Sequence, residues 1–244
     1  MIIENEYKVL GFRQIEFHFN EKRAIVIFPS EANDNGKVVL KTEYFEAFPD
    51  LQMQFVKRGY TLIYLENTNR WGTDYDINDQ YKFINYIAKE FGKENSVITI
   101  GMSCGGLIAV NLCAKYPESV NGLYLDAPVL NFLSFPAKMG IGYDISEEAW
   151  KEFEGIYHIT KSELLTYRNH PMDKLPILLN NNKKIYLVYG DSDHIVPFSE
   201  NGLYLENYYK ENGGKIIVEK KEGVGHHPHG PLNCDVVIDF LEKE

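Results

Sequence analysis

The sequence predicts an α/β fold: a mainly parallel, twisted sheet with helices on both faces and a small helical cap insertion. Three observations carry this. The runs AIVIF, VITI and KIYLVY are almost continuously apolar, as strands buried on both faces of a parallel sheet are. Longer amphipathic segments alternate with them, and strand–helix alternation calls for helices on both sides of a parallel sheet. Between Asp126 and Lys184 the rhythm breaks for about 55 residues, far more than an ordinary strand–helix loop needs.

Taken in order, strands are expected at 14–19, 24–28, 60–65, 97–100, 122–125, 184–189 and 215–219. Helices are expected at 44–57, 77–91, 105–115, 199–209 and 234–241. In the second of these, Tyr81, Ile84, Tyr86, Ile87 and Phe91 fall near helical spacing, with charges opposite. The long interval carries three helix signals, SEEAWKEFEG, TKSELLTY and MDKLPILL. It reads as a cap at about 131–180 over the sheet's C-terminal edge, where open α/β sheets bind ligands. Two ordinary crossover helices with long loops are the alternative. With no repeat and no linker, residues 1–244 read as a single domain.

Composition narrows the function. Of 244 residues, 44% are hydrophobic and 25% charged, which excludes wholesale disorder. Asp plus Glu number 35 against 25 Lys plus Arg, a net charge of −10. That balance argues against nucleic acid and against an anionic membrane as partners, since both need a positive face. It suits a small-molecule substrate and is compatible with a homodimer. Cys104, Cys113 and Cys234 cannot all pair within the chain, which favours a reducing compartment. The first residues, MIIENEYKVLGFRQIEF, lack an apolar run of signal-peptide length, and other apolar stretches are strand-sized. The expected location is cytoplasmic, and no cofactor is implied.

The most informative segment is SVITIGMSCGGLIAVNLCAKYP. An apolar strand runs into Gly101-Met102-Ser103-Cys104-Gly105 and then directly into a helix that stops before Pro117. This is a G-x-S-x-G nucleophile elbow in the context that gives the pattern meaning. The following helix brings free N–H groups beside Ser103, where an oxyanion would form. A serine nucleophile needs a base, and the base an orienting acid, in the chain order Ser, Asp, His for this elbow. After KIYLVY comes GDSDHIVP, where Asp193 is the chosen acid and Asp191 the runner-up. After the last strand comes GVGHHPHG, where His226 is the favoured base and His227 the next.

Other positions follow from the same rim. The first oxyanion donor is the backbone N–H of Cys104. The second is expected after AIVIF, at Ser30 or Glu31, because Pro29 has no N–H. Cys104 sits one place past the elbow, so its thiol should turn away. Trp71, in NTNRWGTD, reads either as an aromatic wall of the substrate pocket or as packing. His229 packs the loop or faces the substrate. His18 and His158 have no such context. Three histidines with Asp235 nearby could hold zinc, but adjacent histidines in extended chain point apart and no H-E-x-x-H is present. No metal is expected.

The stretches KVVLKTEYFEAFP, GMSCGG, LYLDAPV and ENYYKENGGKIIVEKKEGVGHHPHG resemble compact bacterial esterases and prolyl-oligopeptidase-like hydrolases of the α/β-hydrolase superfamily. The likeness covers essentially the whole chain, and GHHPHG is its most specific part. It implies Ser103, Asp193 and His226 as nucleophile, acid and base, and draws attention to Glu43 and Trp71 as pocket residues; His227 and His229, from the histidine loop itself, join them as substrate-binding candidates. Many such enzymes are linked with polysaccharide breakdown, yet a chain read as unexported favours a small imported molecule. The expectation is a serine esterase acting through an acyl-enzyme on a short acyl group such as acetyl, on a small or sugar-like substrate. A peptidase, thioesterase or lipid esterase using the same triad is the alternative, followed by a non-catalytic binding module.

Overall fold

In the computed structural model, which describes residues 2–243, the strands run β1 (Asn5–Val9), β2 (Phe12–Phe19), β3 (Lys22–Ile27), β4 (Val38–Lys41), β5 (Thr61–Leu65), β6 (Val97–Met102), β7 (Val120–Asp126), β8 (Lys184–Gly190) and β9 (Ile216–Lys221). They form one nine-stranded sheet in the order β1-β2-β3-β5-β4-β6-β7-β8-β9. From β5 to β9 every pairing is parallel, whereas β1, β2 and β3 join antiparallel at one edge.

The period of two along each strand explains the layers. Val38 and Leu40 of β4 enter one apolar cluster, and Val39 enters another. In β8, Ile185 and Leu187 face the first while Tyr186 and Val188 face the second. Helices α2 (Asp74–Phe91) and α3 (Cys104–Lys115) fill the first side; α1 (Asp50–Lys57) and α8 (Cys234–Glu242) fill the second. Thr73 caps α2 by accepting from the Asp76 N–H, and Gly92 ends it at φ 64, in the left-handed region that favours glycine. Among the described residues, no helix is long and apolar enough to cross a membrane.

Two strands lie outside the sequence expectation. β1 is an exposed edge strand with no apolar face to reveal it. β4 is four residues long and bounded by lysines, and Lys41 is itself buried. The helix expected from residue 44 begins only at Asp50, because Tyr44 (φ 54) and Phe48 (φ 49) turn the chain back first. In the long interval, α4 (Glu147–Tyr157) and α5 (Lys161–Leu164) stand in the stretch expected to form a cap. The last helix there, α6 (Leu175–Asn180), instead packs beside α3 and α7 (Gly202–Glu211), as an ordinary crossover helix does.

Candidate active site

Ser103 stands between β6 and α3 at φ 52 and ψ −120, a conformation an L-residue holds only when its surroundings impose it. The surroundings here are tight. A Cβ on Gly101 would lie 2.7 Å from the Gly105 carbonyl oxygen, and one on Gly106 would lie 2.4 Å from Pro128 Cβ. The Ser103 N–H donates to the Asp126 carbonyl, and the Ser103 carbonyl accepts from Gly106 and Val129. The elbow is thus clamped between α3 and the end of β7.

Three side chains meet at this point. The Ser103 hydroxyl lies 2.9 Å from His226 Nε2, and His226 Nδ1 lies 2.8 Å from Asp193 Oδ2. The carboxylate fixes the proton on Nδ1 and leaves Nε2 to accept from the hydroxyl. Asp193 Oδ1 accepts from the Ile195 and Val196 N–H groups, each at 2.9 Å. Gly190 allows this meeting: a Cβ there would sit 2.2 Å from the Val224 carbonyl oxygen, so only glycine lets the histidine loop cross the end of β8. Asp191 has another task, holding Lys220 at 3.0 Å and accepting from the Gly223 N–H at 2.7 Å. Its carboxyl is held below the usual range by those partners.

The other histidines form a second unit. His229 is buried, with Nδ1 2.9 Å from Asp126 Oδ1. Asp126 Oδ2 accepts from the Tyr124 hydroxyl at 2.7 Å and from the Gly230 N–H at 2.6 Å. Burial pushes the Asp126 carboxyl up, but His229, Gly230 and Tyr124 outweigh it and hold it below its ordinary value. Nearby Lys41 is pushed down to about 8 by burial, partly offset by Asp126. His227 is exposed and stacks on Phe48 at 5.8 Å. The three imidazoles do not point apart, as extended chain would require: their centroids lie 4.8, 5.1 and 4.9 Å from one another.

Ser103, His226, His227 and His229 open into a cavity of about 410 Å³. Its lining includes the apolar side chains of Phe48, Phe135, Ile145 and Ile195, together with Arg70 and Tyr44. The cap contributes Phe135 and Ile145, and its 143–144 segment is tied to the acid loop by N–H groups donating to the His194 carbonyl. A second cavity, of about 440 Å³, lies beside Asn111 and Lys174 and includes none of the three side chains at the elbow.

Three expected positions are corrected. Ser30 cannot serve the oxyanion, because β3 runs antiparallel to β5 and its end lies on the opposite rim, beside Gly11 and Arg13. The loop that abuts the first turn of α3 instead follows β4: Thr42 Oγ1 donates to the Gly105 carbonyl at 2.7 Å. Trp71 is fully buried, stacked on Phe135 at 5.9 Å and edge-on to Phe153 at 5.2 Å, so it anchors the cap and meets no substrate. Its neighbour Arg70 reaches the cavity, paired with Glu152 at 2.8 Å. Glu43 lies behind the wall, where its Oε2 accepts from Asn67 at 2.8 Å and its Oε1 from the Tyr44 N–H at 3.3 Å; burial raises its carboxyl. Burial also pushes the Cys104 thiol up to about 11, which leaves it without nucleophilic character.

Asp126 is the main site residue that sequence reasoning passed over. Its signal was present: a carboxylate at the C-terminal end of the apolar strand LYLD, on the same rim as Ser103.

A family model described as the alpha/beta hydrolase fold matches residues 61–158. A Mycoplasma genitalium protein named as an esterase/lipase is 26% identical over 181 residues, covering 62% of this chain and 65% of that relative. Among solved structures, the acylaminoacyl peptidase of Pyrococcus horikoshii superposes with a TM-score of 0.67 at 13% identity, over 88% of this chain and 37% of that one. An S-formylglutathione hydrolase from Agrobacterium tumefaciens gives 0.65 at 12% identity, over 99% of this chain and 96% of that one. The chain therefore spans under two thirds of the M. genitalium relative and of the peptidase, and the structural matches, at such identities, speak for the fold.

Proposed function

We propose that this chain, an α/β-hydrolase by fold, is a serine esterase that cleaves a short-acyl ester, such as an acetyl ester of a small or sugar-like alcohol. The observation that carries the reading is the unbroken hydrogen-bonded line from Ser103 through His226 to Asp193, opening into a cavity. Ser103 Oγ attacks the acyl carbon while His226 Nε2 takes the hydroxyl proton. Negative charge gathers on the carbonyl oxygen, which the Cys104 N–H at the start of α3 and the Tyr44 N–H receive. Tyr44 gives up only its weak 3.3 Å contact to Glu43 in doing so. Collapse breaks the C–O bond to the alcohol, which leaves with the proton from His226. Water then attacks the acyl-enzyme by the same route, releasing the acid and restoring Ser103. Asp193 keeps the imidazole in the required tautomer throughout.

The modest cavity of about 410 Å³, with Phe135, Ile145 and Ile195 in its lining, supports a short chain. A longer acyl group is the second reading, favoured by Met139, Ile141 and Tyr143 of the cap segment, which are 44%, 68% and 69% exposed. p-Nitrophenyl acetate, butyrate and octanoate separate the two. A tunnel gains about 0.8 kcal/mol for each added methylene, so kcat/KM would climb steadily, whereas a closed pocket drops sharply beyond its depth. Ser103→Ala abolishes turnover in either case; retention of a tenth of the activity would remove Ser103 from the reaction.

A further inference from the structure

We propose that His226, His227 and His229 form a binding site for a divalent ion of zinc type, and that its occupation switches ester hydrolysis off. The second half rests on the proposed roles of Ser103 and His226. One ring nitrogen from each histidine lies within 4.8 Å of the others. Zinc–imidazole bonds of about 2.0–2.1 Å in tetrahedral geometry put ring centroids about 5 Å apart. The observed centroid separations of 4.8, 5.1 and 4.9 Å match that spacing, and ring rotations that draw the nitrogens from within 4.8 Å of one another to the roughly 3.4 Å of tetrahedral ligands complete the site.

The outer contacts are those a metal histidine needs. His226 gives Nδ1 to Asp193, and His229 gives Nδ1 to Asp126, both carboxylates being buried. Metal-ligating histidines almost always hand their second nitrogen to such a group, which fixes the tautomer and raises ligand basicity. In both rings the nitrogen left to bind is Nε2. Two carboxylates, of Asp193 and Asp126, stand behind the ligands. The Ser103 hydroxyl, 2.9 Å from His226 Nε2, turns aside to admit an ion on that lone pair, and water fills the fourth position. An ion on Nε2 occupies the lone pair that must receive the serine proton. Binding and turnover therefore exclude each other.

The test uses the full chain, freed of metal by a chelator, with zinc chloride as the probe. Competition against a chromogenic zinc indicator should give one ion per chain for wild type and for Ser103→Ala, so binding is read without turnover. His227→Ala and His229→Ala should each weaken it at least about tenfold. Zinc should inhibit p-nitrophenyl acetate hydrolysis at the concentration at which it binds, with EDTA restoring the rate. Each variant's inhibition is scaled to its own zinc-free rate. No binding up to about 1 mM zinc, or binding unchanged in both histidine variants, overturns the site. Activation by zinc overturns the switch. A protein that binds zinc but hydrolyses no ester keeps the site and instead removes the esterase reading, so the two failures are distinct.

Discussion

Asp193→Asn turns the geometry of the acid loop into a rate. Asp193 Oδ1 faces two N–H donors, Ile195 and Val196, each at 2.9 Å, while Oδ2 faces His226 Nδ1 at 2.8 Å. An asparagine fits the same space but must choose an orientation. With its oxygen toward the two N–H groups, its NH2 meets Nδ1, which must then accept. The imidazole proton moves to Nε2, and Ser103 faces a donor where it needs a base. The opposite orientation keeps the base but leaves two buried N–H groups facing an NH2. Each such unsatisfied donor costs about 1–3 kcal/mol, so the competent form lies about 2–6 kcal/mol higher. At 1.36 kcal/mol per decade, activity falls by about 30-fold to 10⁴-fold.

The assay is kcat and KM on p-nitrophenyl acetate, beside the rate at which a fluorophosphonate labels Ser103. Both rates should fall by the same factor, with KM little changed and the thermal melt within a few degrees of wild type. Asp191→Asn is the control and should stay within about twofold, since that carboxylate holds Lys220 and the Gly223 N–H at the loop's outer side. A folded Asp193→Asn protein with more than a tenth of wild-type activity would falsify the tautomer argument.

Three further outcomes follow from the packing around Gly106, Lys41 and Trp71. Gly106→Ala drives a methyl to 2.4 Å from Pro128 Cβ and 2.9 Å from its Cα, an overpacking cost of about 1–3 kcal/mol, which differential scanning fluorimetry should read as a Tm loss of several degrees. Gly105→Ala, whose nearest neighbours would be Thr42 Oγ1 at 3.0 Å, Glu43 Cβ at 3.2 Å and Glu43 N at 3.5 Å, should lose less. Lys41 holds a folded pKa of about 8 against 10.5 unfolded, so between those pH values the unfolded chain binds more protons and stability rises with pH. The gain is about 3 kcal/mol at most; urea midpoints across this window should climb for wild type relative to Lys41→Met, and parallel curves would refute the buried charge. Trp71→Phe should lower Tm by a few degrees yet leave KM within about twofold, because the ring packs on Phe135 and Phe153 behind the cavity; a large KM change would return Trp71 to the substrate wall.

What was legible in the sequence divides by strand direction. Ser103, Asp193 and His226 each follow a strand of the parallel part, so their order and the flanking apolar runs suffice to bring them to one rim. Ser30 also follows a strand, but β3 is reversed, and nothing in AIVIF encodes its direction. Missing β4 compounded the error, since Lys41 reads as a solvated end while its amine is buried against the Ala47 carbonyl and Met102. The expected α1 started too early because Tyr44 and Phe48, good helix-side apolar residues by pattern, take left-handed φ values that pattern cannot reveal. Glycines were legible as a motif, but the reasons for Gly106 and Gly190 lie with distant partners, Pro128 and Val224.

The same reasoning explains why one loop holds two histidine–carboxylate pairs. β7 and β8 are neighbours, and each ends near a carboxylate, Asp126 within β7 and Asp193 just after β8. The 223–230 segment crosses both strand ends, so histidines three places apart reach one carboxylate each. Of the two, only His226 also meets Ser103, so on the proposed reading Asp193 has the task of orienting the base. Asp126 instead ties down the loop that carries His226, through His229 and the Gly230 N–H, while the Tyr124 hydroxyl donates to its carboxylate. Its own strand neighbours support it, because the Asp126 carbonyl accepts from the Ser103 N–H. Ser103 and His226 are therefore both positioned from a single residue: its main chain holds the elbow and its side chain holds the histidine loop. On the proposed reading, a site braced in that way loses little freedom when an ester binds, and preorganisation of this kind is where electrostatic catalysis draws its rate.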